Sequence, residues 1–379
     1  MSLNLLISAG EASGDLHGAR LLAALRKKCP DLSAFGMGGE RLAAGGLRRI
    51  VESDALSVVG VFEVFEKLPA LSKALSRMSE AARANRPDAA ILIDFPDFNG
   101  LLGRRLHRAG VPLLYYVSPQ VWAWRAGRAR TIARLARRIV TLFPFEAEIY
   151  RRLGADAVCA GHPLVDDVRE GLASDPPIPR GGRRRLVLLP GSRVAEVRKH
   201  WTPMLEAGVA LARRFDLDVV ALRAPGLPEE IFSDAARRNV SVVSTGRHSL
   251  LASADLAFVA SGTATLEAAL CGAPMVVVYR TAAATFAIAK ALVRVRWISL
   301  VNIVAGGEVV PELLQDDVNP ARLEREGAAL LDSPERLAKM RSSLADVARQ
   351  LGPPGASDRA ADAILDALAP AEARRLAGP

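Results

Sequence analysis

Ser261, Gly262 and Thr263 form a short loop between an apolar run and a stretch whose apolar residues recur at helical spacing. Such a loop at a helix N-terminus presents free backbone N–H groups and the positive end of the helix dipole, so it suits a phosphate. Gly262 permits close approach of a ligand, and the hydroxyls of Thr263 and Thr265 add donors. Glu267 lies one turn beyond Thr263, within reach of a ribose. An ordinary N-capped helix explains these residues equally well, so this segment alone leaves both interpretations open.

Loops rich in polar, glycine or aromatic residues follow each apolar run in the first half of the chain as well. The predicted strands there are Leu3–Ser8, Ser33–Met37, Ala89–Ile93, Leu113–Val117, Arg138–Phe143 and 158–160. In a parallel sheet these loops gather at the carboxyl ends of the strands, where open α/β sheets bind ligands. The sequence therefore predicts a ligand site at that edge.

A proline- and glycine-rich stretch, residues 175–182, separates two halves with the same strand–helix alternation. From Asn319 onward only helices are predicted. The pattern predicts an α/β fold of two Rossmann-like open parallel sheets facing each other. We place an N-terminal domain at 1–168, a C-terminal domain at 169–345 and a C-terminal helical tail at 346–379.

Composition restricts the classes of partner. The 379 residues contain 50 Lys and Arg against 41 Asp and Glu, and the net charge of +9 favours an anionic partner. Aromatic residues are too few and too scattered for a nucleic-acid reader, so we expect no nucleic acid. The spacing of Gly10 and Gly14 is not that of a dinucleotide fingerprint, and no metal motif is visible, so we expect no cofactor and no metal. We see no signal peptide and no membrane-spanning run.

Eight motifs along the chain together resemble lipid-A-disaccharide synthase. They are SAGEASGDLHGA (8–19), SVVGVFEVF (57–65), IDFPDFN (93–99), YYVSPQVWAWR (115–125), FPFE (143–146), GHPL (161–164), LLPGSRVAEV (188–197) and ASGTATLE (260–267). Any one motif is weak, whereas eight in the same order are specific. The resemblance implies a GT-B glycosyltransferase with two Rossmann-like domains and a cleft between them. It also implies inverting transfer of a diacylglucosamine from UDP to the 6-hydroxyl of diacylglucosamine 1-phosphate, which forms the β-1,6-linked lipid A precursor.

This reaction requires a base that takes the proton of the acceptor hydroxyl. Asp94 and Asp97 follow a buried predicted strand, and Asp94 is the first candidate because it matches the residue thought to be the base in the family. His17 is an alternative base, although a lone histidine at a helix start is more often structural. Asp94 acting only as a cap of the following turn remains a further alternative.

The departing diphosphate requires positive charge. Arg193 follows a glycine turn at another predicted strand-to-helix junction, and it is our first candidate for the diphosphate. Ser192 could donate beside it, and Glu196 could face the ribose or uracil. Asn302 matches a polar cleft position of the family, and we place it with the donor-binding residues.

Residues for the acceptor are expected in the first half. We assign Gly14, Asp15, Asp97, Trp124 and Arg125 to it, the last two because they could stack on the sugar and clamp its phosphate. Aromatic packing under a loop explains the tryptophan equally well.

Apolar residues recur on one helical face between positions 61 and 78, and we expect Pro69 to begin a second short helix there. Coverage of the first sheet is the ordinary explanation of this stripe. Because both implied substrates carry acyl chains, we instead expect part of it to touch an anionic membrane surface, at the cytoplasmic face of the bacterial inner membrane. A homo-oligomer is left open.

Two other functions fit many of the same residues. A different GT-B enzyme, such as a UDP-N-acetylglucosamine 2-epimerase, would keep the nucleotide half and change the acceptor half. A non-catalytic protein that binds nucleotide sugars or anionic lipids would show affinity for UDP without turnover.

Overall fold

The computed structural model describes residues 3–53, 61–119, 126–179, 182–282, 286 and 296–369, and of 61–68 and 126 only the backbone. The chain divides into two compact units. Unit 1 comprises Met1–Pro163 together with Pro353–Pro379, and unit 2 comprises Leu164–Gly352.

Unit 1 is built on a seven-stranded parallel sheet with the order β3-β2-β1-β4-β5-β6-β7. Its strands are β1 Asn4–Ala9, β2 Ser33–Gly38, β3 Arg48–Glu52, β4 Ala89–Ile93, β5 Leu113–Tyr116, β6 Arg138–Thr141 and β7 Ala157–Cys159. Its helices are α1 Ala12–Lys28, α2 Glu40–Ala44, α3 Val61–Asn85, α4 Pro96–Arg108, α5 Ala126–Leu135 and α6 Pro144–Arg152, and one late helix is described below. All five residues of β4 are buried, as expected for a parallel strand covered on both faces.

Unit 2 is built on a six-stranded parallel sheet with the order β10-β9-β8-β11-β12-β13. Its strands are β8 Arg184–Leu189, β9 Leu217–Leu222, β10 Ser241–Val243, β11 Leu256–Ala260, β12 Met275–Tyr279 and β13 Glu312–Leu314. Its helices are α7 Leu164–Ser174, α8 Val194–Phe215, α9 Arg247–Ala252, α10 Thr263–Leu270, α11 Leu300–Ala305, α12 Pro320–Leu331 and α13 Pro334–Gln350, and short 3₁₀ turns lie at Glu229–Phe232, Ala236–Arg238 and Gln315–Asp317.

The strand order of each sheet reverses direction at one place. In unit 1 this place lies between β1 and β4, and in unit 2 it lies between β8 and β11. Loops at the carboxyl ends of such strands diverge to opposite faces of the sheet and leave a crevice, which is where open α/β sheets bind ligands. Both crevices lie where the sequence motifs predicted chemistry, at the loops after β4 in unit 1 and after β8 and β11 in unit 2.

The structure differs from the sequence prediction in four local elements. Two short edge strands, β3 and β13, were not predicted. The run 297–301 before Asn302, which looks like a strand in the sequence, is not one: helix α11 begins at Leu300, and the Ser299 hydroxyl accepts the Asn302 N–H to cap it. Pro69 lies inside the single helix α3 and does not begin a second one.

The predicted boundary after residue 168 falls inside α7, which belongs wholly to unit 2. The Asp175 carboxylate, directly beyond this helix, accepts the backbone N–H of His248 at 2.7 Å. The His248 ring packs against Gly171, where a Cβ atom would lie only 1.9 Å from its Nδ1. These contacts attach α7 to α9, so unit 2 begins at Leu164.

The segment predicted as one helical tail, 346–379, is divided between the two units. Helix α13 ends at Gln350 in unit 2, whereas the last described helix, α14 (Ala356–Leu368), packs against α1 in unit 1. Lys28 pairs with Asp362 at 2.8 Å, and the Arg359 Nε donates to the carbonyl of Ala160 at 2.9 Å. A helix with its small apolar face buried in this way is part of the unit 1 core.

Candidate functional site

A cavity of about 340 Å³ lies at the carboxyl edge of the unit 2 sheet, in the crevice between β8 and β11. Most of the residues predicted to bind the donor line it, namely Ser192, Arg193, Glu196, Ser261, Gly262, Thr263 and Glu267. Leu189, Leu222 and Ala260 add an apolar part to the wall. Because the first turns of α8 and α10 border this cavity, both helices direct N–H groups and positive dipole ends toward its edge.

The loop before α8 is held by its own glutamate. Gly191 has a φ of +123°, and the Glu196 carboxylate occupies the space beside it, 2.3 Å from where a Cβ atom would be. The Glu196 Oε2 accepts the backbone N–H of Ser192 at 3.1 Å. Arg193 follows this loop as the exposed N-cap residue of α8 and lies at the edge of the cavity.

The two threonines predicted as donors lie in the first turn of α10 and differ in exposure. Thr263 is exposed and lines the cavity, whereas Thr265 is fully buried and its hydroxyl donates to the carbonyl of Gly262 at 2.8 Å. Thr265 therefore braces the loop from behind and does not offer a donor to a ligand. Ser261 lines the cavity with its Oγ 3.3 Å from the carbonyl of Ile298, to which it donates.

Arg247, which the sequence reasoning did not identify, also lines the cavity and forms an ion pair with Glu267. It is the first residue of helix α9 and follows Gly246 directly. Its local signal is therefore a glycine and an arginine beyond a strand, as at Gly191 and Arg193. The preceding strand β10 is short and mostly exposed. Arg193 and Arg247 together supply two guanidinium groups to one cavity wall, and planar guanidinium groups bind phosphate oxygens well.

His200 ties two loops of unit 2 together, and sequence reasoning missed it as well. Its side chain is fully buried, and its Nδ1 lies 2.9 Å from the carbonyl of Pro190. The backbone N–H of Arg280 donates to Nε2 at 3.0 Å, so Nδ1 carries the proton and the ring is neutral. Burial lowers the pKa of His200, which keeps the ring in this form. In the sequence a lone histidine on an apolar helix face is indistinguishable from ordinary core packing.

Asn302 has a different role from the one predicted. It is fully buried, and its Nδ2 donates to the carbonyl of Val310 at 2.9 Å and to Glu312 at 2.8 Å. Its Oδ1 accepts the N–H groups of Val309 and Val310 at 2.8 and 3.1 Å. The amide thus holds the chain before β13 against α11, and it does not line the cavity.

In unit 1, Asp94 ends β4 with unusual backbone geometry. Asp94 and Phe95 both have a φ of 45°, and Val117, whose carbonyl accepts the Asp94 N–H at 3.1 Å, has a φ of 57°. Non-glycine residues rarely adopt these angles, which concentrate at functional sites where surrounding structure enforces them. The loop therefore presents the Asp94 carboxyl from a backbone held in a strained conformation.

Asn99 enforces that conformation. Its fully buried amide donates to the carbonyls of Ile93 and Asp94 at 3.1 and 2.8 Å, and its Oδ1 accepts the Ser8 hydroxyl at 2.6 Å. One side chain thereby connects the ends of β1 and β4, on the two sides of the crevice in unit 1. Asn99 closes the IDFPDFN motif, but nothing in the sequence distinguished it from the other residues of the motif.

The electrostatic environment of Asp94 suits a base. Burial raises its pKa from 3.8 to about 6, and the negative charge of Glu11 adds to the shift, while the N–H of Phe95 opposes it. A carboxylate with a pKa near 6 is a stronger base than a solvated one and is still ionised at neutral pH.

Two residues predicted for the acceptor are buried in unit 1, and one of them serves the fold. The Asp15 carboxylate is buried and accepts the N–H groups of Gly39, Arg41 and Leu42 at 2.7, 3.0 and 3.1 Å. It therefore caps helix α2 and is not available to a ligand. Gly14 is buried within α1, where an added Cβ atom would lie 3.6 Å from Ala9.

The remaining predicted residues of unit 1 fall into different places. Asp97 is exposed in the first turn of α4 and pairs with Arg128. His17 packs edge-on against Tyr116 and His162, with ring centroids 6.5 and 6.2 Å away. Trp124 and Arg125 lie outside the described residues. Within the described part of the chain, no three His, Cys, Asp or Glu side chains form a group that could hold a metal ion.

A family model described as Lipid-A-disaccharide synthetase matches residues 5–366. A lipid-A-disaccharide synthase of Myxococcus xanthus is 42% identical over 381 residues, covering 97% of this chain and 98% of the relative. One of Geobacter sulfurreducens is 42% identical over 380 residues, with coverage of 97% and 98%.

Solved structures share the GT-B fold. The glycosyltransferase of kitacinnamycin superposes with a TM-score of 0.67 at 17% identity, covering 97% of this chain and 100% of the other. The UDP-GlcNAc 2-epimerase from Neisseria meningitidis, bound to UDP-GlcNAc, has a TM-score of 0.60 at 11% identity, with coverage of 96% and 100%. At such low identity these likenesses show the fold alone, whereas the near full-length matches above identify the family. The chain belongs to the lipid-A-disaccharide synthase family.

Proposed function

We propose that this chain condenses UDP-2,3-diacylglucosamine with 2,3-diacylglucosamine 1-phosphate, giving the β-1,6-linked disaccharide 1-phosphate and UDP. The observation that carries this assignment is the cavity in unit 2, which places two helix N-termini and two arginines beside an apolar wall. That combination matches a nucleoside diphosphate, whose base is flat and weakly polar and whose diphosphate is anionic. We assign the donor to unit 2 and the catalytic base, Asp94, to unit 1.

The proposed step is a single displacement. Asp94 accepts the proton of the acceptor 6-hydroxyl while that oxygen forms a bond to the anomeric carbon of the donor. The bond from this carbon to the β-phosphate oxygen breaks, and UDP departs with the electron pair. Arg193, together with the first turns of α8 and α10, stabilises the charge that develops on the leaving diphosphate. Attack opposite the leaving group converts an α-linked donor into a β-linked product.

Incubation of the purified chain with both substrates, followed by mass spectrometry, tests this function. We expect a disaccharide 1-phosphate and an equal amount of UDP. An epimerised sugar with free UDP would indicate an epimerase. Affinity for UDP with no product from the parent protein would indicate a binding protein.

The rate should depend on pH through Asp94. Because the base acts only when ionised, kcat/KM should be constant above about pH 7 and should fall tenfold per pH unit below the pKa near 6. With an unperturbed carboxyl, this fall in kcat/KM would instead occur near about pH 4. Measurement of kcat/KM for the acceptor between pH 4.5 and 8.5 distinguishes a raised pKa from an unperturbed one. A fall in kcat/KM that begins only near pH 4 would contradict the assigned environment of Asp94.

We propose membrane contact for the N-terminal part of α3 only. Leu71, Leu75 and Met78 pack against the core of unit 1, so this part of the predicted apolar stripe is not available to a bilayer. The side chains of 61–68 lie outside the described ones, and Pro69 and Ala70, which follow them directly, are exposed. No helix in the described part of the chain has the length and apolar character to cross a bilayer. We therefore propose peripheral attachment at the cytoplasmic face of the inner membrane.

Phe62→Glu combined with Phe65→Glu tests this attachment. Charges at the interface should weaken sedimentation with anionic liposomes by about tenfold or more, since each buried aromatic side chain contributes roughly 1.5–3 kcal/mol. Ser72→Glu with Ser76→Glu adds the same charge to the exposed face of α3 and should have a much smaller effect. Liposome binding like that of the parent, or unfolding of the Phe variant, would place the membrane surface elsewhere.

A further inference from the structure

A groove of about 640 Å³ lies between α4 and α5 on unit 1. Tyr115 of β5 and Ile132 of α5 contribute apolar surface to it, and Leu101, which is 51% exposed, contributes a wall. The volume of the groove lies within the range found for small-molecule binding sites. The groove begins at Pro96, the first residue of α4, and is therefore adjacent along the chain to the loop that presents Asp94.

The polar lining of this groove is predominantly basic. Arg104 and Arg128 line it, and Asp97 is its one acidic lining residue in the described part of the chain. Arg128 already pairs with Asp97, whereas the Arg104 guanidinium forms no hydrogen bond or ion pair with other described residues. Both guanidinium charges act on the buried Tyr115 hydroxyl, where they oppose the rise in pKa that burial causes. Two cations thus converge on a groove with an apolar floor.

We propose that this groove binds the acceptor sugar, with Arg104 and Arg128 on its phosphate and Leu101 and Tyr115 against an acyl chain. The assignment rests on the proposed function and extends it. A phosphorylated, acylated sugar combines a compact anion with apolar chains, and the groove combines guanidinium groups with apolar walls in the same way. Asp97 orients Arg128 and does not itself contact the phosphate of the acceptor, which a carboxylate would repel.

Substitution of Arg104 provides the test, with the full-length protein and purified substrates. Arg104→Gln should raise KM for diacylglucosamine 1-phosphate by about tenfold or more, because a charge-assisted contact is lost. KM for the UDP-sugar should remain within about twofold of the parent, since unit 2 is unchanged. Arg105→Gln is the matched control, because Arg105 lies on the same helix but lines the separate groove between α3 and α4. It should leave KM for the acceptor at the parental value.

An acceptor analogue without the 1-phosphate separates contact with the phosphate from a general effect. The parent should use this analogue with a KM about tenfold higher, and Arg104→Gln should add little to that loss. Equal increases for both acceptors, or a parental KM in Arg104→Gln, would overturn the assignment of the phosphate. Leu101→Glu should raise KM more for long-chain than for short-chain acceptors, and the absence of this difference would overturn the acyl contact. If the parent protein forms no disaccharide at all, both this assignment and the proposed function fail.

Discussion

Asp94→Asn should lower turnover by roughly 10²–10⁴-fold, the usual contribution of a positioned general base. The amide keeps the size of the side chain but cannot accept the proton of the acceptor hydroxyl. The strained loop should persist, because Asn99 binds the backbone carbonyls of Ile93 and Asp94 and not the carboxyl group. The affinity for UDP should change little, since the donor cavity belongs to unit 2.

The stability of this variant separates a loss of catalysis from a loss of fold. The pKa of Asp94 in the folded chain, about 6, is above its value of 3.8 in a solvated chain, so folding favours the protonated form. The contribution of this shift to the free energy of unfolding is fully present below about pH 4 and is lost as the pH rises through 6. At pH 8 the ionised carboxylate therefore destabilises the fold, and the Asn variant should have a Tm no lower than that of the parent.

Asp88→Asn is the matched control for the base. Asp88 is exposed directly before β4, at the opposite end of the same strand, where its carboxylate accepts the Asn4 N–H at 2.7 Å. The same chemical change there should leave turnover near the parental value. Turnover near the parental value in Asp94→Asn would instead remove Asp94 from the role of base and favour Asp97 or His17.

Arg193→Ala should raise Kd for UDP by about 10–100-fold, as expected for the loss of charge-assisted hydrogen bonds worth roughly 1.5–3 kcal/mol. The fall in kcat/KM should be at least as large, because the same contacts stabilise the leaving diphosphate in the transition state. Arg193→Lys should recover only part of both losses, since an ammonium lacks the planar fork of the guanidinium. Isothermal titration with UDP and steady-state kinetics measure the two effects.

Arg198→Ala serves as the control for this prediction. Arg198 is exposed further along α8 and does not line the cavity, so its removal changes net charge without removing a ligand contact. Its Kd for UDP should stay within about twofold of the parent, the scale of a screened surface charge. An unchanged Kd in Arg193→Ala would remove this arginine from the donor site.

The positions of the candidate loops were more predictable than the roles of individual side chains. Strand periodicity and the glycines after strands were enough to predict the loop at Arg193 and the loop at Thr263, because both features act within a few residues. Their meeting in one crevice follows from the order of the strands. The edge strands β3 and β13 were missed because they are short and little buried, so apolar patterning is weak in them.

Polar residues near a glycine loop were the hardest to interpret. Asp15 caps helix α2 and Asn302 holds the chain before β13, although both resemble ligand contacts in the sequence. A carboxylate or amide that satisfies backbone groups and one that binds a substrate share the same residue type and spacing. Conversely, His200 and Asn99 act through partners that are distant in sequence, 80 positions away for the Arg280 N–H and 91 for Ser8. Only the tertiary structure reveals such partners.

The return of α14 to unit 1 determines when that unit can be completed during synthesis. Ribosomes add about 5–20 residues per second. The synthesis of unit 2 therefore takes on the order of ten seconds or more, and during this time the surface of α1 that receives α14 is still uncovered. Unit 2, a continuous segment, can finish folding first, although it begins later in the chain. Nascent unit 1 thus exposes an apolar surface to chaperones or to another chain's α14 during this interval. A stop codon placed after Gly352 would make that exposure permanent.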